Sequence, residues 1–352
     1  MRKNIVLFAV LTLIPYVLCV IFSLFNENIR MGQGDNSLKH HLLGKEVLIE
    51  VNGLYKSMDV EEYVKGVLPG TISAEYDEEA LKVQAILIRT NVLKEIEEKG
   101  SSDASDLSYD YLTVEERIDL FGERNYERYE QRFEQAVVGT AGQVLRQEGN
   151  LIMALYHEVS IGKTASATEV LGEDIAYLQS VDSSQDVEAK HYMNIVNYTW
   201  EELQSLDHEG KEVATAEVAT TESAPTSEGS TEVVDGTATE APATETATTE
   251  KPAVQKMDIK VTESTENGFV KQLSVDGTVY TGEEAMEKYG LSSSNFYVEE
   301  VQDGIRFVCL GKGNCMGLSQ YGANCMALEG KSAKDIIDHY YKKVSIEDYH
   351  KK

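Results

Sequence analysis

The chain has 352 residues and a net charge of −28, from 60 Asp and Glu against 32 Lys and Arg. That balance excludes a nucleic-acid partner, because phosphate binding needs a basic footprint. The length allows about two domains of usual size, but a low-complexity insert reduces what can fold, and one folded unit is expected.

Ile5 to Phe25 carries no charged residue and follows Arg2 and Lys3. Such a run is long enough to cross the roughly 30 Å hydrocarbon core as a helix, and the cations hold the N-terminus in the cytoplasm. Residues 1–26 are therefore expected to form a cytoplasmic tip and an uncleaved transmembrane anchor. The membrane is then a partner, and the chain from residue 27 onward lies outside it.

Lys45 to Val51 alternates and is rich in β-branched residues, so it predicts a strand, with Asn52-Gly53 as a hairpin turn before Leu54-Tyr55. Val60 to Gly100 predicts a short helix, a break at Leu68-Pro69-Gly70-Thr71, and a long amphipathic helix. Asp59 with Glu62 has capping-box spacing. Ala80, Leu81, Gln84, Ala85, Ile88, Val92 and Ile96 recur at three and four, and Gly100 stands where a C′ residue closes a helix. Ser101 to Tyr111 reads as a surface loop, and Tyr126 to Val138 as a second amphipathic helix ended by Gly139 or Gly142.

Gln143 to Tyr156 predicts two short strands around Glu148-Gly149-Asn150, the last running into His157. With Ser160-Ile161-Gly162-Lys163-Thr164 after it, this histidine opens a glycine-containing loop where a ligand can reach backbone donors. A satisfied structural histidine is the alternative.

Glu212 to Glu250 has no aromatic residue, Lys or Arg. It cannot bury enough apolar surface to offset its chain entropy. Residues 211–255 are thus expected to be a disordered insert between the two parts of one domain, 27–210 and 256–352. Beyond it, Met257–Thr262, Val270–Val275 and Ile305–Cys309 predict strands, and Glu283–Tyr289 and Ser332–Tyr341 helices. The expected fold is a single mixed α+β domain of small antiparallel sheets and a few helices.

Tyr63-Val64-x-Gly66-Val67, Glu79-Ala80-Leu81-Lys82-x-Gln84-Ala85 and Arg89-Thr90 resemble the stage II sporulation protein D (SpoIID/LytB) family. Further blocks agree in order: Val144–Thr164, Glu287–Phe296, and Gly311–Ala323 followed by Ile336-Ile337-x-x-Tyr340-Tyr341. The resemblance implies an extracytoplasmic protein acting on peptidoglycan glycan strands, with lytic transglycosylases as its active members. Such an enzyme needs one carboxyl group that protonates the glycosidic oxygen and then takes the proton of the sugar's own 6-hydroxyl. The family's glutamate lies five residues after the glycine of Tyr-Val-x-Gly-Val and eight before the glutamate of Glu-Ala-Leu-Lys; both counts fall on Thr71. A threonine hydroxyl is no general acid near neutral pH. Glu75 is the nearby substitute, but it lies about 6 Å further along a helix, beyond the roughly 0.5 Å tolerance of a catalytic group.

The family loop His-Ser-x-Ser-Gly-Gly-x-Thr matches His157 to Thr164, with Glu158 for a serine and Ile161 for a glycine. The family's Gly-His-Gly run is shortened in Gly311–Gly317 and lacks its histidine. The glycan-binding set implied is His157, Ser160, Gly162, Lys163, Thr164, Ser319, Gln320 and Tyr321, the last three equally suited to capping and packing. No cofactor is expected. Some members bind zinc through cysteines of the loop matching His157, which has none here, and Cys309, Cys315 and Cys325 lack a C-x-x-C pair. A disulfide between two of these three is expected. Two functions fit the resemblance. One is a catalytically degenerate relative that binds glycan or stimulates another cell-wall hydrolase; the other is an active lytic transglycosylase of sporulation or wall remodelling. Thr71 and the shortened loop favour the first.

Overall fold

A computed structural model describes residues 38–51, 53–206 and 255–350. The expected anchor and Glu212–Glu250 lie outside them. Among the described residues no helix is long and apolar enough to cross a membrane. The chain is mixed α+β, and it forms two compact units, one from the chain up to Ala189 and from Cys315 onward, the other from Lys190 to Asn314. The division falls at 189/190 and 314/315, and residues 211–255 belong in sequence to the second stretch.

In the first unit β1 (Glu46–Val51) and β2 (Leu54–Asp59) form the expected hairpin, with Gly53 at φ +76° in its turn. Helix α1 (Val60–Thr71) starts at Asp59, whose carboxylate accepts from Glu61 N at 2.9 Å, Leu43 N at 3.0 Å and Gly44 N at 2.7 Å. Asp59 thus ties the helix start to the segment before β1, in place of a reciprocal box with Glu62. The helix does not break at Leu68. Pro69 sits in its last turn, where a missing N–H costs one intrahelical bond, and extended Ile72 closes it by donating to Leu68 O at 3.2 Å.

Helix α2 (Glu78–Lys99) begins at Asp77 and ends at Gly100, φ +63°. It is not amphipathic. Leu81, Ala85, Ile88 and Val92 pack into one apolar cluster with α1, while Val83, Ile86 and Leu87 pack into another with Ile336, Ile337 and Tyr340. A helix buried on both sides is apolar nearly all round. Helix α3 (Val114–Phe121), started by a Thr113/Glu116 capping box, has no counterpart in the sequence reading. Helix α4 (Glu123–Gly139) follows it. Strands β3 (Gln143–Gln147) and β4 (Asn150–Leu151) turn at Glu148 and Gly149, both at positive φ. Then come β5 (Tyr156–His157) and the short α5 (Ala167–Val170).

The second unit contains β6 (Met193–Thr199), helix α6 over 200–206, β7 (Ile259–Ser264), β8 (Val270–Val275), β9 (Thr278–Thr281), α7 (Gly282–Tyr289), β10 (Phe296–Val301) and β11 (Gly304–Leu310). Its two three-stranded sheets, in the orders β10-β11-β6 and β7-β8-β9, enclose Leu273, Tyr289, Phe296 and Phe307. The first unit is completed by β12 (Leu318–Ser319), α8 (Gln320–Leu328), α9 (Ala333–Tyr340) and β13 (Ser345–Asp348), the last antiparallel to β3. The sheets are small and antiparallel as expected, except that β12 runs parallel to β5.

Candidate functional site

The β5–β12 pairing sets the site, because it places Leu318 beside Tyr156 and Ser319 beside His157 just where α8 begins. Ser319 caps α8 by accepting from Gly322 N at 3.1 Å. Three hydrogen bonds then draw neighbouring elements onto the first turns of α8. Gln320 Nε2 donates to Thr71 O at 2.7 Å, Tyr321 N to Glu158 O at 3.1 Å, and Asp77 N to Asn324 Oδ1 at 2.7 Å. Thr71, Tyr76, Tyr156, Glu158, Tyr321 and Asn324 are all half-buried. Burial pushes the Tyr76 hydroxyl up to about 12, with the Glu158 charge adding to it.

Thr71 meets Gln320 through its carbonyl, but its Oγ1 donates back to Leu68 O at 3.0 Å, the usual bond of a threonine in a helix's last turn. The Tyr156 hydroxyl stands among Thr71, Gln84 and Tyr109. Gln84 is fully buried, and although its amide lies near Tyr156, neither amide atom is aligned to complete a hydrogen bond. Glu75 points elsewhere. Its carboxylate accepts from Arg128 Nη2 at 3.0 Å and from the Tyr129 hydroxyl, both on α4. The Tyr129 bond, then the Arg128 and Arg132 charges, hold its carboxyl below the usual range. Arg132 fixes the same loop by donating to Ala74 O and Tyr76 O at 2.6 and 2.5 Å.

His157 is buried, with Nδ1 2.9 Å from Met316 O. A carbonyl can only accept, so Nδ1 carries the proton in the neutral ring and Nε2, which has no partner among the described residues, is left bare. Burial lowers its pKa to about 4, against opposing contributions from the Met316 bond and the Asp186 charge. The loop after it divides by role. Ser160 and Thr164 are buried; Thr164 Oγ1 accepts from Val181 N at 3.0 Å, and Ser160 N donates to Asp186 Oδ2 at 2.6 Å. Gly162, at φ +94°, and the exposed Lys163 form its outer edge.

Asp186 is the residue that sequence reasoning missed. It is fully buried, and its other oxygen abuts Gly322, where a Cβ would fall 2.1 Å from the Tyr340 hydroxyl, 2.4 Å from Ser183 Oγ and 3.0 Å from Asp186 Oδ1. The polar run around 184–188 gives no sign of this, since its partners lie far along the chain.

The expected disulfide is not formed: among the described residues Cys309, Cys315 and Cys325 are not joined. Cys309 lies inside β11, Cys315 is buried at φ +58° in the connection ahead of β12, and Cys325 shares a hydrogen bond with Tyr321 on α8.

Fold and site together define an α+β protein with small sheets and a cluster of half-buried polar side chains where α8 meets the end of α1. The family described as Stage II sporulation protein (SpoIID) matches residues 51–146. The chain is 26% identical over 325 residues to Stage II sporulation protein D of Bacillus subtilis (strain 168), covering 90% of this chain and 82% of that protein. It is 26% identical over 331 residues to Stage II sporulation protein D of Bacillus amyloliquefaciens, covering 92% and 84%. An uncharacterized protein of Brachyspira hyodysenteriae (strain ATCC 49526 / WA1) is 28% identical over 310 residues, covering 87% and 70%. Over residues 51–146 the chain carries a match to that family, and across about nine-tenths of its length it is similar, as a divergent relative, to Stage II sporulation protein D.

Proposed function

We propose that this protein is a membrane-anchored, extracytoplasmic member of its family that holds peptidoglycan glycan strands at the polar cluster beside α8 without cleaving them, and so serves as a glycan-binding or hydrolase-stimulating component. The observation that carries this reading is the fate of the two acid candidates. Thr71 spends its hydroxyl on Leu68 O, and Glu75 is bonded to α4 and kept ionised. A general acid must instead hold its proton near the working pH. Groups suited to binding remain: the half-buried Tyr76 and Tyr321 phenols and the exposed Lys163 can meet sugar hydroxyls and acetamido groups, while the buried Gln320 holds the end of α1 beside them.

The test is incubation of the purified full chain with sacculi and analysis of the soluble products. No 1,6-anhydromuropeptides are expected, because general acid–base assistance is worth about two to four powers of ten. Thr71→Glu should restore a trace at most. Robust release by the unmodified protein, abolished by Glu75→Gln, would overturn the reading. Binding is tested by sacculus pull-down: replacing Lys163 and Gln320 by alanine should weaken it, and unchanged capture would remove this cluster from the function.

A further inference from the structure

The second unit carries the chain's one tryptophan, Trp200, and Trp200 lines a cavity of about 430 Å³, within the range of small-ligand sites. The position follows from strand register. Ile305 on β11 lies between Glu300 of β10 and Tyr198 of β6, and Trp200 comes two residues after Tyr198, its backbone N–H donating to Asp303 O at 3.1 Å. Alternation along the strands puts Val298, Glu300 and Ile305 on one side of this sheet, and Trp200, the first residue of α6, lines the same cavity. The rim is charged but balanced. Lys256 Nζ donates to both oxygens of Glu300 at 2.7 and 2.8 Å, and Lys260 Nζ lies 2.8 Å from Asp258.

An apolar floor with an aromatic ring, under a rim of paired opposite charges, suits one chemistry better than others. A charged ligand would have to break an ion pair to find its partner. A neutral polyol need not, because each hydroxyl both donates and accepts and so bridges carboxylate and ammonium, while its C–H face lies on the indole. We propose that the second unit bears a saccharide-binding site of its own, with Trp200 as the stacking face and the Lys256–Glu300 pair, beside Asp258, as the hydroxyl-binding rim. Only the choice of sugar, an N-acetylglucosamine polymer, rests on the function proposed above. Two sugar sites on one chain would raise retention on a polymer beyond either alone where one strand reaches both.

Because the chain holds no other tryptophan, its fluorescence reports this site directly. Titrating the full chain with chitotetraose should shift and saturate the emission. The variant with Lys256 and Glu300 both changed to alanine keeps the reporter and should weaken the half-saturation point about tenfold, the loss expected when hydrogen bonds to charged groups are removed. Replacing Lys163 and Gln320 in the first unit should leave the titration unaltered. Three results would overturn the proposal: no emission change while sacculus capture persists, an equal change with maltotetraose, or a titration indifferent to the rim variant. Loss of sacculus capture from the first-unit variant alone, with the fluorescence titration intact, would separate the two sites. Failure of the unmodified chain to capture sacculi, with a saturable chitotetraose titration, would count against the first-unit cluster and leave this site standing.

Discussion

Two carboxylate–guanidinium pairs stand at opposite ends of α1, and they differ in almost everything but chemistry. At its start Glu61 meets Arg89 of α2, with Nε 2.8 Å and Nη2 2.6 Å from the carboxylate and both side chains fully buried. Arg89 Nη1 also donates to Gln143 O at 3.2 Å, and Gly142 N donates to Glu61 Oε1 at 2.9 Å. Beyond the helix's other end Glu75 meets Arg128, with 63% and 59% of their side chains exposed. The first pair joins α1, α2 and the entry to β3 in one hydrogen-bonded knot; the second merely rests a loop on α4. Arg89, one of the motif residues, builds the frame, whereas beyond the other end of α1 Thr71 turns its hydroxyl back to Leu68 O and Glu75 accepts from α4.

Breaking the buried pair should give the largest effect. Removing one partner strands the other charge in the core, which costs about 3–5 kcal/mol. Glu61→Ala should lower urea stability by that amount or leave too little folded protein to measure. Replacing both members with methionine should recover most of the loss, because the desolvation of two charges is then relieved together. A Glu61→Ala protein as stable as the parent would show that the pair does not hold the frame.

The same contrast governs what could be read from sequence. Asp77 and Gly100 bracket α2, and Ser332 starts α9, because caps are local signals confined to a few residues. The hairpins at Gly53 and at Glu148-Gly149 were legible for the same reason. Burial of α2 on both faces was not, since the second cluster is completed by Ile336, Ile337 and Tyr340, far along the chain. Position counting locates Thr71, but only the fold shows its hydroxyl turned back to Leu68 and its carbonyl held by Gln320. Asp186 lay beyond reach because its partners, Ser160 and the gap left by Gly322, come together only in three dimensions.

His157 sharpens the comparison from within the candidate site. Its folded pKa is depressed to about 4 from an ordinary 6.5, so below 6.5 the unfolded chain takes up a proton that the folded chain refuses. Its neutral form is fully compatible with the fold above 6.5, and stability should fall as pH drops from 6.5 towards 4, by no more than about 1.4 kcal/mol per pH unit for one proton. Denaturation at pH 7 and pH 5 should show a smaller difference in His157→Gln than in the parent. An identical difference in both would mean that the ring is not buried in the neutral form.

Glu75 should give the smallest effect, and that smallness is the point. A solvent-exposed pair is screened and loses side-chain freedom to form, so Glu75→Gln should shift the denaturation midpoint at neutral pH only slightly. The sign is fixed by the depressed carboxyl: the stabilisation is present above the unfolded carboxylate's pKa and is lost as pH falls through the lower folded value. The variant and the parent should therefore converge in acid, once the carboxylate has taken up its proton and the Tyr129 and Arg128 contacts no longer favour a charge. A catalytic acid would behave oppositely. Its carboxyl would be raised, so the glutamine variant would match or exceed the parent in stability at neutral pH while losing activity. Finding the variant more stable at pH 7, with the gap closing in acid, would make Glu75 a carboxyl held protonated by its surroundings and restore it as a candidate donor.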